Sequence, residues 1–169
     1  MEADWEEAIE FVLKMEGGAV AEHDPKDPGG TTKFGISQRA YPNLDIENLT
    51  LDQVKEIYKK DYWQLCCCDQ LPRAYALCVF DTAVNQGPGR AIRLLQIVLN
   101  VDVDGAIGSK TISAAFSSTP RQVMRYLALR IDRYIQTIVS NVSLQTYSLN
   151  WTFRVLSLYE LIMTKKDPA

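Results

Sequence analysis

Outside one glycine- and proline-rich stretch, Gly17–Gly35 (GGAVAEHDPKDPGGTTKFG), no segment of the chain keeps an alternating apolar pattern, so strands have almost nowhere to form. Helical spacing recurs instead, cut by strong stops. Trp5, Ala8, Ile9, Val12 and Leu13 make one apolar stripe on a helix expected from Asp4 to about Glu16. Asp4 and Glu7 have capping-box spacing, and Glu6, Glu7, Glu10 and Lys14 are expected to face water. Gly17-Gly18 ends this helix. The glycine-rich stretch after it reads as loop, with room for a short hairpin. Thr50 and Gln53 cap a second helix whose face is Leu51, Val54, Ile57 and Tyr58. Residues 73–86 read as a buried helix stopped by Gly87-Pro88-Gly89, and residues 90–100 as another. A turn over Val101–Gly108 leads to a short helix from Lys110. Thr119-Pro120 opens a long helix to about Ser140, since proline suits the first helical position. Tyr126, Leu127, Ile131, Tyr134 and Ile138 are its core stripe. A last helix runs from about Leu144 to Thr164. The fold class is mainly α, with about five to seven helices.

Charge and rare residues remove several function classes. With 18 basic and 21 acidic residues the formal charge is -3, and no basic stripe invites nucleic acid. The same balance offers no general attraction to an anionic cell wall, so any wall contact must be local. No stretch approaches the roughly 20 apolar residues of a membrane helix. The first residues, MEADWEEAIE, carry no basic, apolar leader pattern, so synthesis in the cytosol is expected. Cys66, Cys67 and Cys68 are consecutive and Cys78 stands apart; this is not zinc-ligand spacing, and free thiols are expected. His23 is the one histidine, whereas zinc amidases and peptidases use at least two. Asn100, Asp102, Asp104 and Gly105 mimic the start of a calcium loop, but Thr111 stands where the bidentate glutamate belongs. No metal or other cofactor is expected.

One residue sits in the wrong place for stability. At about 100° per residue, Glu16 lies about 20° around its helix from Trp5, in the middle of the apolar stripe. It also occupies the last turn, where the helix dipole opposes negative charge. Both features favour a neutral carboxylic acid, the form a general acid must hold before it protonates a leaving oxygen. The alternative is a structural pair with a core arginine, Arg93 or Arg154. Next to Glu16 the loop offers Asp24, Asp27, Thr31 and Thr32, and a carboxylic acid beside a second carboxylate or a positioned water is the minimal equipment of a glycosidase. Asp81 and Asn85 share one helix face, either as a buried polar pair or as sugar-recognition groups, with Gln86 beside them. Tyr62 and Trp63 are either core or a stacking platform for sugar rings.

Glu16-Gly17-Gly18, Asp24-Pro25, Asp27-Pro28-Gly29-Gly30 and Thr32-Lys33-Phe34-Gly35-Ile36 together resemble glycoside hydrolase family 108, N-acetylmuramidases that include many phage endolysins. The resemblance continues through Tyr62-Trp63, Phe80-Asp81, Ala83-Val84-Asn85-Gln86-Gly87, Leu95-Gln96, Asp104-Gly105, Ile107-Gly108 with Thr111, and Trp151 with Arg154. It departs at Asn150, where the family usually has glycine, and at Thr31, where it has a small alanine. The resemblance implies a lysozyme-like helical fold, a catalytic glutamate at Glu16, and a division into a muramidase region over residues 1–89 and a peptidoglycan-binding-like region over residues 90–169, packed as one unit. The expected reaction is hydrolysis of the β-1,4 bond between N-acetylmuramic acid and N-acetylglucosamine. Asp27 is the leading auxiliary carboxylate, Asp24 stands behind it, and Thr32 holds water. Asp24, Thr31, Tyr62, Trp63, Asp81, Asn85 and Gln86 are the expected substrate contacts. A monomer is expected, reaching the wall through a holin or a secretion system and lysing the cell. A lytic transglycosylase needs the same single glutamate, and a wall-binding module or a chitinase-like role on soluble glycans are further readings.

Overall fold

The computed structural model describes residues 2–17 and 31–164. Helix α1 (Glu2–Met15) is followed by strands β1 (Thr32–Lys33) and β2 (Ile36–Ser37), then by α2 (Leu51–Tyr58), a π-helical turn (Lys59–Gln64) and a 3₁₀ turn (Cys68–Gln70). The second half is α3 (Arg73–Gln86), α4 (Pro88–Leu99), α5 (Ser109–Phe116), α6 (Pro120–Ser140), a 3₁₀ turn (Val142–Tyr147) and α7 (Ser148–Thr164). The fold is mainly α and lysozyme-like, and the one sheet among the described residues is the β1–β2 hairpin. None of the described helices is long and apolar enough to cross a membrane.

The stops act as expected. Thr50 and Gln53 cap α2 reciprocally, and Thr119 and Gln122 do the same for α6 ahead of Pro120. Gly87, at φ 92°, closes α3 and opens α4, so α4 starts at Pro88 rather than residue 90. Three expectations need correction. The first helix begins at Glu2, so Asp4 lies inside its first turn rather than at its cap. Glu7 does not face water: it is buried and takes a bidentate pair from Arg73 (2.8 and 3.0 Å). Arg73 also donates to the Leu161 and Ile162 carbonyls, which ties α1, α3 and the end of α7 together. The last helix starts at Ser148, because the residues from Val142 wind as a tighter 3₁₀ turn first.

Helix α3 is apolar all round, and Tyr75 through Ala83 are buried without a break. Such a helix must be covered on every side, and α1, α4, α6 and α7 all pack on it. Edge-on contacts among Trp5, Trp63 and Phe80, with centroids 5.4–5.6 Å apart, lock α1 to α3 and the π-helical turn. Trp63 is fully buried, with its indole N–H donated to Asp69 at 2.6 Å. It is core, and its assignment as a sugar contact is withdrawn: a ring with no exposed face cannot stack on a ligand.

The calcium-like segment is a self-contained turn. Gln96, buried on α4, donates to Asp104 (2.7 Å) and to the Ala106 carbonyl (2.9 Å) and accepts from the Gly105 N–H (2.9 Å). Asp104 also caps the Ala106 N–H, and together these bonds hold its carboxyl below the ordinary range. Cys66, Cys68 and Cys78 are buried free thiols, and burial pushes Cys66 up to about 12.

Candidate active site

Glu16 follows directly on the last turn of α1, its N–H still bonded to the Val12 carbonyl at 2.9 Å, which fixes where its side chain leaves the helix. The side chain is 22% exposed, mostly covered and open at one edge. The structure pairs it with the cation that sequence had offered as the structural alternative: Arg154 Nη1 lies 2.6 Å from Glu16 Oε1. Arg154 is itself buried on α7, and its Nε and Nη2 bind Asp81 Oδ1 at 2.9 and 2.7 Å. The other Asp81 oxygen takes Arg130 Nη1, and Arg130 reaches the Tyr134 hydroxyl at 3.1 and 3.2 Å. Tyr134 donates to Asn85 Oδ1. A continuous chain of charge-assisted bonds thus runs from the open carboxylate into the centre of the molecule.

Asp81 is 1% exposed, so no sugar reaches it, and its listing among substrate contacts is withdrawn. Its role is to hold two arginines. Burial alone would push its carboxyl up; the Arg130 and Arg154 guanidiniums outweigh that and hold it below the ordinary carboxylate value.

The second oxygen of Glu16 faces the hairpin. Thr32 pairs with Ser37 and Lys33 with Ile36, and the two turn residues, Phe34 and Gly35, both have positive φ (52° and 76°), as a tight two-residue hairpin requires. Lys33 Nζ anchors the hairpin to the Glu47 and Leu49 carbonyls, and the buried Tyr58 donates to the Phe34 carbonyl at 2.8 Å. A β-carbon on Gly35 would lie 2.8 Å from both Glu16 Oε2 and the Tyr58 hydroxyl. The part of the hairpin in contact with Glu16 is therefore Gly35. Thr31 uses its carbonyl to receive the Gln38 N–H at 2.9 Å.

This geometry restricts the chemistry. Arginine has donors and no acceptor, so Arg154 occupies an Oε1 lone pair, and Oε2 is the oxygen that lies beside the hairpin tip. Gly35→Ala should therefore lower kcat by about a hundredfold, since an ångström-scale displacement of a reacting group costs that much. Turnover by Gly35→Ala equal to wild type, with the fold intact by circular dichroism, would show that the hairpin tip does not bear on the acid.

Tyr62 lies in the π-helical turn, half-buried, with its ring 5.5 Å from that of Tyr58. Burial and the nearby Asp61 and Glu16 charges push its hydroxyl up, so it stays an O–H donor. Beside Arg154, a depression of about 240 Å³ is lined by Lys14, Asn85, Asn150 and Trp151. Trp151 is partly open and is held flat by stacking on Tyr134 (4.9 Å) and Tyr147 (5.9 Å). Gln86 points elsewhere, into a separate cleft beside α4, with a long bond to the Arg130 carbonyl at 3.5 Å. Asp24 and Asp27 lie outside the described residues. Sequence reasoning missed Arg130, Tyr58 and Gly35 as parts of the site. Arg130 had left a signal: it falls between Tyr126 and Tyr134 on the buried face of α6, where a cation demands a buried anion.

Residues 9–87 match the model of the family described as glycosyl hydrolase 108. The match covers Glu16, Gly35, Tyr62, Asp81 and Asn85 and stops before Arg130 and Arg154. Among solved structures, the chain is similar to that of Brucella abortus SagA, at 28% identity and a TM-score of 0.81 over 99% of this chain and 98% of that one. No curated protein matches the chain.

Proposed function

We propose that the protein is a glycosyl hydrolase of family 108, whose model matches residues 9–87, and that it hydrolyses the β-1,4 bond between N-acetylmuramic acid and N-acetylglucosamine in peptidoglycan with Glu16 as general acid. The observation that carries this reading is the placement of one partly open carboxyl group, gripped through Oε1 by Arg154 and with Oε2 beside the hairpin tip. Glu16 protonates the glycosidic oxygen as the bond to the muramic acid anomeric carbon breaks. The sugar passes through an oxocarbenium-like state, and water adds to that carbon and releases a proton. Asp27 is the leading candidate to guide that water, with Asp24 behind it and Thr32, in β1, as a hydroxyl partner. Thr31 lies one residue before β1 on the same approach. Tyr62 offers a ring to a sugar face, and Asn85 an amide to an N-acetyl group. The second half of the chain, from residue 90, is read as the wall-binding region. Bacteriolysis on reaching the wall is part of the same proposal.

Mass spectrometry of fragments released from purified peptidoglycan tests the reaction. Reducing muramic acid ends are expected. Ends carrying 1,6-anhydro bonds would instead make the enzyme a transglycosylase, with the sugar's own hydroxyl replacing water. An absence of fragments, with binding to purified walls retained, would make the protein a binding module.

A further inference from the structure

A cleft of about 710 Å³ lies between α4 and α6, within the size range of ligand sites. Its charge is opposite to that of the chain as a whole. Arg90, Arg93 and Arg133 line it, against one carboxylate, Asp132, in a protein of formal charge -3. Among the described residues none of the three arginines has a carboxylate within ion-pair distance. Asp132 is engaged by the amide of Gln136 at 2.6 Å, and the same Gln136 accepts from Arg133. Arg93 is fixed in place, donating to the Gly89 carbonyl at 3.2 Å and lying against Gly105, where a β-carbon would come within 3.1 Å of it. Three exposed arginines line one cleft against a single carboxylate. The remaining wall is apolar, with Ile97 and Val103 both exposed there.

We propose that this cleft binds the acidic peptide that branches from the glycan strand. The proposal rests on the peptidoglycan reading above. The glycan backbone is neutral once the lactyl group of muramic acid is joined to peptide, so the carboxylates of the substrate are on its peptides. Guanidinium groups recognise carboxylates by paired, planar hydrogen bonds. The apolar wall suits small side chains such as alanine, and the Gln86 and Gln136 amides lining the cleft suit peptide bonds. Position supports the same occupant. Consecutive residues at the end of α3 face the two sites, Asn85 the depression beside Arg154 and Gln86 the arginine cleft. The two sites thus flank the end of α3. The arginines supply the local attraction that an acidic protein needs on an acidic wall.

The test has two arms. Titration of the free tripeptide alanyl-γ-glutamyl-diaminopimelate into the wild-type protein, followed by amide NMR, should give saturable shifts around the start of α4. Binding should weaken about tenfold in Arg90→Gln/Arg133→Gln. In the second arm, glycan strands are compared before and after an amidase has removed their peptides. The ratio of kcat/KM for peptide-bearing over stripped strands should fall about tenfold in the double variant. A wild-type protein that does not bind the tripeptide, an unchanged ratio, or equal displacement of the tripeptide by inorganic phosphate would each overturn the proposal. If the wild type cleaves neither strand, the muramidase reading fails, and the titration alone decides the cleft.

Discussion

Glu16→Gln should lose activity on purified peptidoglycan by about 10²–10⁴-fold, the range a general acid contributes. The amide keeps the shape of the side chain and can still accept the Arg154 hydrogen bond through its oxygen, but it has no proton to give. Arg154 also keeps both bonds to Asp81, so the network stays closed. Stability should therefore change by only about 1 kcal/mol, the difference between a charge-assisted bond and a neutral one. Turnover and thermal unfolding on the same sample separate the two roles of the residue. A variant that turns over at the wild-type rate would remove Glu16 from the chemistry and leave it the structural partner of Arg154.

Asp81→Asn should produce the largest loss of stability, about 3–5 kcal/mol. It removes the carboxylate that, among the described residues, bridges Arg130, which is fully buried, and Arg154, which is nearly so. Desolvating two guanidiniums is tolerable while an anion lies between them; the amide leaves Arg130 in the core without its carboxylate and Arg154 with Glu16 alone. Denaturant unfolding measures the loss, and a variant within 1 kcal/mol of wild type would show that the arginines find other partners. The same carboxylate has a signature in acid. Because its folded value is depressed, its contribution is complete above the unfolded carboxylate range and disappears only as pH falls through the lower folded value. A wild-type acid limb that sets in above the ordinary aspartate range must come from other groups.

Much of the architecture was legible because its punctuation is local. Glycine, proline and Thr-x-x-Gln signals bounded α2, α3 and α6 closely, since caps and stops act through neighbouring backbone. Glu16 stood out for the same reason: one residue contradicted the stripe it occupied. What could not be read was partnership. Periodicity says that Glu7 lies beside the stripe, not that Arg73 will cross from α3 to meet it. Spacing joined Asp81 to Asn85 on one face, but whether that face met sugar or arginine depended on α6 and α7. Trp63 fell within a π-helical turn, where the usual helical angle misplaces side chains, so its face was unreadable from spacing.

The pairing of Glu16 with a residue 138 positions later has a consequence for the order in which the proposed site is completed during synthesis. The family-matched stretch ends at residue 87, and a ribosome delivers it well before α7. A nascent chain in that state has its acid but not the cation that orients it. Domains fold as units during synthesis, and here the unit is complete only when its last helix docks. Premature termination, or proteolytic loss of α7, therefore yields fragments with the glutamate and without the grip. Under the proposed activity, unfinished copies lack the grip on their acid until translation reaches α7.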